Sequence, residues 1–310
     1  MGPPAAPSPA HWLTFLAYRI GSRMARALPA STAAGASRPL GAILAMAMPT
    51  RRRTVGRHLQ RVHDGGLGPK ALRVQTRRSF GTYVRYWIES FRLPGLAGSE
   101  IETAMIAEGL EHLDAALAAG NGAILALPHV GGWDFGGAWL VQRGYPITVV
   151  VERVEPAELL DWFIARREGV GLTVIPLGPR AGPAALRDLR ANRVVALLCD
   201  RDIAGGGVEV DFFGERTTLP AGPARLALRT GAALLPTAVY FDGRDGHRGV
   251  IRPPLRLERT GKRVHDVTLL TQALASELES FIRAAPHQWH LFQPNWPSDP
   301  GYRHQRSRRG

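Results

Sequence analysis

The sequence predicts an α/β fold with a central, mostly parallel sheet flanked by helices, preceded by an N-terminal helical region. From Gly122 onward, short apolar runs alternate with segments of helical character, which is the pattern of parallel strands joined by crossover helices. Before residue 96, the chain is rich in arginine and has helical periodicity. The 310 residues are 45% hydrophobic, which is sufficient for a sizeable core.

The strand candidates follow one another through the second part of the chain. They are AILAL (123–127), ITVVV (147–151), LTVIPL (172–177), VVALLC (194–199), VEVDFF (208–213), LLPTAVY (234–240) and a last strand near Gly249–Leu257. Helices are predicted at Phe135–Arg143, Ala157–Glu168, Pro183–Ala191, Pro223–Thr230 and Asp266–Ala284. This alternation predicts one α/β domain over residues 96–298, followed by a flexible basic tail at 299–310.

The net charge is concentrated in the first third of the chain. Residues 1–95 contain 14 arginines and one lysine but only two acidic residues, so they carry the whole formal net charge of +13. A localised positive field attracts an anionic partner such as a membrane surface or a nucleic acid. Because the sequence contains no nucleic-acid-binding motif, we expect no nucleic-acid partner.

A helix is predicted from Ala10 to Leu28, and two further basic helices are predicted within residues 50–92. In the first helix one face is apolar (Leu13, Leu16, Ala17, Ile20, Met24 and Leu28), and Arg19, Arg23 and Arg26 lie beside it. Such a helix suits a membrane interface, and the alternative is an ordinary helix docked on the domain. The first interpretation makes residues 1–95 a membrane-associating region.

Three features that the sequence does not have bear on the cellular compartment of the protein: a transmembrane run, a secretory signal and a pair of cysteines. No uninterrupted apolar run reaches about 18 residues, so no transmembrane helix is predicted, and the N-terminus does not read as a secretory signal. The single cysteine, Cys199, cannot form an internal disulfide and is typical of a reducing compartment. We therefore expect a peripheral protein on the cytoplasmic face of the plasma membrane.

The candidate site is the segment ALPHVGGWDFGG, which begins at Ala126 and follows the strand AILAL. It places His129 at the carboxyl end of a strand, where open α/β sheets gather their catalytic residues, with Asp134 five residues later. On a regular helix these two side chains would not face each other, but a turn at Gly131 and Gly132 could bring them together. The alternative is a structural turn with incidental polar residues.

Other kinds of chemistry have little support. No third His, Cys, Asp or Glu lies at ligand spacing near His129, so we expect no metal. The chain has no Gly-x-Ser-x-Gly elbow and no phosphate-binding Gly-Lys loop, which disfavours a serine hydrolase and a P-loop enzyme.

The segment LPHVGGWDFGG resembles the His-x4-Asp block of the lysophospholipid-type acyltransferases. Within them the chain is most similar to the branch that contains lipid A late acyltransferases and actinobacterial phosphatidylinositol mannoside acyltransferases. Further blocks match in order over residues 10–298. VVVERVE contains Glu152, and WFIARREGVGLTVIPLG contains Arg167. The third block begins with LLCDRDIAGGGVEVDFFGE, which contains Asp200 and Arg201, and the last block is WHLFQPNW.

The resemblance implies a glycerolipid acyltransferase-like fold and transfer of a fatty acyl group, such as palmitoyl, from acyl-CoA to a mannose hydroxyl of phosphatidylinositol mannoside. His129 would act as the general base, Asp134 would orient it, and no acyl-enzyme would form. Acyl-CoA would be a co-substrate, with no cofactor. The alternatives are a lipid A-type acceptor and a non-catalytic membrane-binding protein that retains the fold.

The remaining candidate residues have two interpretations each. Asp200 would orient His129 or the substrate, or would only cap a strand end. Glu152, Arg167 and Arg201 would bind substrate, or would form structural salt bridges.

Overall fold

A computed structural model describes residues 9–27, 30–203 and 205–302. Its helices are α1 (Pro9–Ala27), α2 (Ala30–Ala47), α3 (Pro49–Val62), α4 (Pro69–Arg92), α5 (Gly98–Thr103), α6 (Leu110–Ala118), α7 (Trp133–Gln142), α8 (Ala157–Glu168), α9 (Ala181–Arg190), α10 (Gly222–Thr230) and α11 (Arg263–Ala284). Its strands are β1 (Met105–Glu108), β2 (Ala123–Leu127), β3 (Ile147–Val151), β4 (Thr173–Pro176), β5 (Val194–Leu198), β6 (Val208–Phe212), β7 (Glu215–Leu219), β8 (Ala233–Asp242) and β9 (Gly246–Ile251). Single 3-10 turns lie at Leu93–Gly95 and Pro286–Gln288.

Seven strands form the central sheet, in the order β1-β9-β8-β2-β5-β3-β4. Neighbouring strands are parallel except for β8 and β9, which run antiparallel. The prediction of an α/β fold with a mostly parallel sheet flanked by helices is confirmed. The candidate VEVDFF is the exception among the predicted strands, because β6 pairs with β7 in a separate hairpin outside this sheet.

Strand β2 lies in the interior of the sheet, and all five of its residues are buried. Alternate side chains of a strand point to opposite faces, so Ile124 and Ala126 join one apolar core while Leu125 and Leu127 join the other. Helices α9, α10 and α11 supply the first core, and α6 and α7 supply the second. Burial on both faces explains why this strand is a continuous apolar run in the sequence.

Helices α2 and α4 cross at a pair of glycines. A Cβ atom on Gly41 would lie only 2.5 Å from the Cα atom of Gly81, so this crossing requires glycine. Helix α4 also packs against α7 and against the 3-10 turn Pro286–Gln288. The N-terminal region therefore contributes side chains to the centre of the α/β domain.

Helix α1 docks on the domain through the face that carries Tyr18. The Tyr18 ring lies 5.1 Å from the ring of Trp87 and 5.3 Å from that of Phe163, measured between centroids. The apolar face predicted from the sequence points away from the domain, since Leu13 is 68% exposed and Met24 is 61% exposed. Docking thus uses one face of the helix and leaves the apolar face free.

We use the term exposed apolar surface for the exposed large apolar side chains of α1 and α2 taken together. It consists of Trp12, Leu13, Leu16, Ile20, Met24, Leu40, Ile43 and Met46. Leu28, which ends the predicted first helix, lies outside the described residues. Among the described helices, none combines the length and the apolar character that crossing a membrane requires.

The chain after the second 3-10 turn, residues 289–302, forms the C-terminal segment, which packs back onto the domain. Trp296 is completely buried, and its indole N–H donates to the carbonyl of Phe212 at 3.1 Å. Asp299 is buried as well, 2.9 Å from Nη1 of Arg61 and 3.3 Å from Nε2 of His58, which ties the segment to α3. The predicted flexible tail begins at this aspartate, and residues 303–310 lie outside the described part of the chain.

Candidate active site

The turn between β2 and α7 is packed tightly against β8. Gly131 has a φ of +61°, and a Cβ atom there would lie 2.1 Å from the carbonyl oxygen of Val239. A Cβ atom on Gly132 would lie 2.9 Å from the ring of His247. Close packing therefore requires both glycines, and it fixes the backbone that carries His129 at the carboxyl end of β2.

His129 pairs with Asp200. Its Nδ1 atom lies 2.6 Å from Oδ1 of Asp200, and its backbone N–H donates to Oδ2 at 3.0 Å. The two residues meet because β2 and β5 are parallel neighbours with Leu127 opposite Leu198, so the chain leaves both strands at the same edge. A carboxylate at Nδ1 holds the proton there and leaves the lone pair of Nε2 available as a base.

The C-terminal segment supports Asp200 from behind. The indole N–H of Trp289 donates to Oδ2 at 2.7 Å, and the Asn295 amide donates to the backbone carbonyl of Asp200 at 3.1 Å. Complete burial would raise the pKa of Asp200, but the neighbouring His129 and the hydrogen bonds from His129 and Trp289 hold that pKa below its ordinary value. The carboxylate stays ionised and can stabilise a protonated imidazole.

Asp134 has different partners. It is the second residue of α7, and it accepts two hydrogen bonds of 3.0 Å from Nε and Nη2 of Arg167 on α8. The hydroxyl of Tyr86 on α4 donates to it at 2.9 Å. Burial lowers the pKa of Arg167, but the Asp134 carboxylate outweighs this and raises it above its ordinary value. This cluster joins three helices around one carboxylate.

The geometry corrects the prediction that Asp134 orients His129. Helix α7 begins at Trp133, so Asp134 already follows helical geometry and its side chain points to α4 and α8. From the sequence we expected a turn at the glycine pair to bring His129 and Asp134 together. The structure uses that turn to pack against β8, and the contact expected of Asp134 is made by Asp200.

Arg201 and Glu152 form a further pair at the same edge of the sheet, with Nη2 of Arg201 2.5 Å from Oε2 of Glu152. The Arg201 side chain is only 7% exposed, and its Nε and Nη1 atoms have no hydrogen-bond partner among the described residues. An unpaired buried donor is costly, which makes this guanidinium a candidate for contact with a bound ligand.

A cavity of about 610 Å³ lies at this edge. His129, Asp134, Glu152, Arg167 and Arg201 all line it, so the structure brings these predicted site residues together around one space. Asp200 supports the site through His129. The remaining lining is largely apolar and includes Leu125, Leu127, Trp133, Trp139, Leu140, Ile147, Val149, Val239 and Ile251.

Two other features narrow the chemistry of the site. Cys199 is buried, and burial raises the pKa of its thiol far above the ordinary value, so it is a poor nucleophile. Within residues 9–27, 30–203 and 205–302, no cluster of three or more His, Cys, Asp or Glu side chains is arranged to hold a metal ion. His129 is the side chain with the support expected of a base.

Sequence reasoning did not assign roles to Tyr86, Trp289 and Asn295. Tyr86 is one of several aromatic residues on α4, and its ring stacks on that of Trp133 with 4.1 Å between the centroids. The other two lie in the block WHLFQPNW, which contributed to the resemblance without any assigned role. In the sequence, their position in this block was the feature that could have indicated a role for Trp289 and Asn295.

Comparison with known proteins places these residues in a family. The family model described as bacterial lipid A biosynthesis acyltransferase matches residues 4–298. A phosphatidylinositol mannoside acyltransferase of Mycobacterium tuberculosis is 48% identical over 226 residues, which cover 71% of this chain and 70% of the relative. One of Mycolicibacterium smegmatis is 40% identical over 296 residues, covering 93% and 92%. A lipid A biosynthesis acyltransferase of Haemophilus influenzae is 30% identical over 187 residues, covering 58% and 55%. The chain therefore belongs to the bacterial lipid A biosynthesis acyltransferase family.

Proposed function

We propose that this protein transfers a long-chain fatty acyl group, such as palmitoyl, from acyl-CoA to a mannose hydroxyl of a phosphatidylinositol mannoside. The observation that carries the proposal is the His129–Asp200 pair beside a largely apolar cavity. Family membership supports the acyltransferase class. The proposed acceptor rests on relatives that are named phosphatidylinositol mannoside acyltransferase.

In the proposed reaction, Nε2 of His129 takes the proton of the mannose hydroxyl as the oxygen attacks the thioester carbonyl. The new oxygen–carbon bond forms, the carbon–sulfur bond breaks, and the thiolate of CoA leaves with the bonding electrons. Asp200 keeps the proton on Nδ1 and stabilises the imidazolium, which can then return the transferred proton to the thiolate. Acyl transfer is direct, with no acyl-enzyme.

The lining of the cavity supports the proposal that the substrate carries a fatty acyl chain. A fatty acyl chain is favoured wherever it removes apolar surface from water, and the apolar lining on β2, β3 and α7 provides such a space next to His129. The polar groups lie at the same edge, where a thioester and a sugar hydroxyl would have to meet. Arg201, with its unpaired N–H groups, is proposed to contact an anionic or hydroxyl group of a substrate, with Glu152 and Arg167 beside it.

The exposed apolar surface supports the proposal that the protein acts at a membrane surface. Leu16 is 51% exposed and Ile20 is 48% exposed, and Arg19 and Arg23 are exposed on the same helix. Apolar side chains flanked by arginines bind an interface whose lipids carry phosphate. We propose peripheral attachment at the cytoplasmic face of the plasma membrane, where an anionic glycolipid would be reached.

The test is acyl transfer from radiolabelled palmitoyl-CoA to purified phosphatidylinositol mannosides. Wild type is compared with His129→Ala and with a control, His112→Ala, whose ring does not line the cavity. We expect product from wild type and from the control. Loss of the general base is expected to reduce transfer by about 10²- to 10⁴-fold.

Three results would contradict parts of this proposal. Equal activity of His129→Ala and wild type would remove His129 from the chemistry. An inactive wild type that instead acylates a lipid A precursor would make the acceptor wrong. Transfer from another acyl donor, with none from acyl-CoA, would make the donor wrong.

A further inference from the structure

His290, in the C-terminal segment, is a second imidazole at the cavity. It lines the cavity with His129 and is only 6% exposed. Its ring is surrounded by aromatic rings at centroid distances of 5.8 to 6.1 Å, those of Tyr83, Tyr86, Trp133 and Phe241. The surroundings are therefore apolar, although the residue itself is polar.

Neither ring nitrogen of His290 has a hydrogen-bond partner among the described residues. A buried polar atom without a partner typically costs about 1–3 kcal/mol, so such an arrangement calls for an explanation. Burial, and after it the nearby His129, lowers the pKa of His290 to about 3. The ring is neutral at physiological pH, so one nitrogen is a donor and the other an acceptor.

The two imidazoles are held in a fixed relation to each other. The backbone N–H of His290 donates to the carbonyl of His129 at 2.7 Å. The indole of Trp133 contacts both rings, with centroid distances of 5.4 Å to His129 and 5.8 Å to His290. A reacting group next to the base would therefore lie close to His290.

The turn beside the base does not offer free backbone donors. The N–H groups of Val130, Gly131 and Gly132 already donate to the main-chain carbonyls of Pro128, Gln288 and Val239, at 2.8 to 3.0 Å. The first turn of α7 carries the Asp134 carboxylate, whose charge repels a second anion there. The N–H groups of the three turn residues are therefore not available to developing negative charge. Arg201 and His290 both line the cavity and have side-chain nitrogens without a hydrogen-bond partner among the described residues, and His290 is the one bonded to the backbone of His129.

We propose that His290 is a catalytic residue whose neutral imidazole N–H donates a hydrogen bond to the carbonyl oxygen of the acyl thioester. The inference rests on the proposed function. When the acceptor oxygen bonds to the carbonyl carbon, its proton passes to His129 and the carbonyl π electrons move to the oxygen. His290 stabilises that oxyanion and keeps its own proton, and the carbon–sulfur bond then breaks. In a site with little water, such a hydrogen bond is strong in the transition state.

The experiment uses two reactions of the same protein, acyl transfer to phosphatidylinositol mannoside and hydrolysis of palmitoyl-CoA in the absence of acceptor. His290→Phe retains a ring among the aromatic neighbours and removes both nitrogens. We expect its kcat to fall by about 10²- to 10³-fold in both reactions with little change in KM, because both pass through the same oxyanion. The control is His287→Phe, on the same stretch of chain, whose ring does not line the cavity.

Folding is checked by the thermal midpoint, which should not fall in His290→Phe, because the substitution removes an unsatisfied buried group. His290→Asn and His290→Gln keep a side-chain N–H near the position of Nδ1 or Nε2. We expect one of them to recover at least about tenfold of the activity lost in His290→Phe, as replacing a lost donor would.

The outcomes separate the alternatives. Loss of transfer with unchanged hydrolysis would show that His290 serves the acceptor, and would overturn the oxyanion role. Wild-type kcat in His290→Phe, or no recovery in either carboxamide variant, would overturn it as well. A wild type that neither transfers from nor hydrolyses acyl-CoA would overturn the proposed donor together with this inference. An active wild type and an equally active His290→Phe would overturn the role of His290 alone.

Discussion

Two carboxylates flank the turn that carries His129, and they are held in different ways. Asp200 follows β5, is completely buried, and contacts the imidazole at 2.6 Å. Asp134 lies on α7 and contacts the guanidinium of Arg167 at 3.0 Å. One pair contains an imidazole, which can act as a base through its free ring nitrogen, while the other contains an arginine that stays charged.

The difference shows that closeness in sequence does not select the partner of a base. Asp134 is five residues from His129, whereas Asp200 is 71 residues away. The helix that begins at Trp133 carries Asp134 away from the base, and the pairing of β2 with β5 brings Asp200 to it. We therefore expect Asp200 to affect the chemistry most and Asp134 to affect mainly the stability of the helices around the site.

The largest expected effect is that of Asp200→Asn. The amide retains the shape of the side chain, but it loses the charge and can favour the wrong imidazole tautomer. We expect kcat for acyl transfer to fall by about 10³- to 10⁴-fold, as for the loss of an orienting aspartate in a catalytic triad. Initial rates of folded Asp200→Asn and Asp134→Asn would be compared, and a greater loss in Asp134→Asn would reverse the assignment.

Asp134→Asn should act mainly on stability. It leaves the largely buried Arg167 without its carboxylate, and we expect the free energy of unfolding to fall by about 2–3 kcal/mol. The loss should be modest for a buried pair, because both side chains keep some exposure, 12% for Asp134 and 19% for Arg167. Urea denaturation measures the change.

A double variant is the control for this explanation. Adding Arg167→Gln to Asp134→Asn removes the uncompensated charge and should restore part of the lost stability. If the two losses simply add, the carboxylate and the guanidinium are not coupled as described.

A substitution of Asp299 tests whether the charge of this residue holds the C-terminal segment against the domain. Burial would raise the pKa of Asp299, but hydrogen bonds from His58 and from the backbone of Asn295, with the charge of Arg61, hold it well below its ordinary value. Because the folded pKa lies below the unfolded one, this group contributes stability above about pH 4 that is lost as the pH falls.

We expect Asp299→Asn to flatten the acid side of the stability profile. The wild type should lose on the order of 2 kcal/mol from this group between about pH 5 and pH 2, and the variant should lack that part. Urea denaturation at several pH values measures it. An unchanged slope in the variant would show that Asp299 does not hold the segment through its charge.

Trp289→Phe should give the smallest effect. It keeps an aromatic ring in a buried position and removes the 2.7 Å hydrogen bond to Asp200. One hydrogen bond to a charged group corresponds to roughly a tenfold fall in kcat. Since this bond helps to lower the pKa of Asp200, that pKa should rise in the variant. A fall in stability with an unchanged kcat would make Trp289 purely structural.

The parts of the fold that the sequence predicted well have a strong local signal. AILAL and VVALLC are apolar because strands inside the sheet are buried on one or both faces, and the predicted helix Ala157–Glu168 matches α8. The last strand was placed near Gly249–Leu257, whereas β9 ends at Ile251. Leu255 and Leu257 are apolar because they pack against the core without belonging to a strand.

The parts that the sequence left open depend on long-range pairing. Asp200 was a candidate for orienting His129, but only the order of strands in the sheet decides that its carboxylate reaches Nδ1. The contact of Trp289 with Asp200 needs the whole C-terminal segment to pack back onto the domain. The spacing of residues along the chain does not indicate these contacts. The residue types predicted a site with a histidine base, whereas the order of the strands and the packing of the C-terminal segment decide which side chains contact that base.

The most direct test of the central claim is the proton NMR signal of the His129 Nδ1–H, observed in protein labelled with ¹⁵N-histidine. A proton held between an imidazole and a carboxylate resonates far downfield, and the His129→Gln variant assigns it. The account predicts that this signal persists in Asp134→Asn and disappears or moves sharply upfield in Asp200→Asn. A signal that survives in Asp200→Asn and is lost in Asp134→Asn would contradict the pairing of His129 with Asp200.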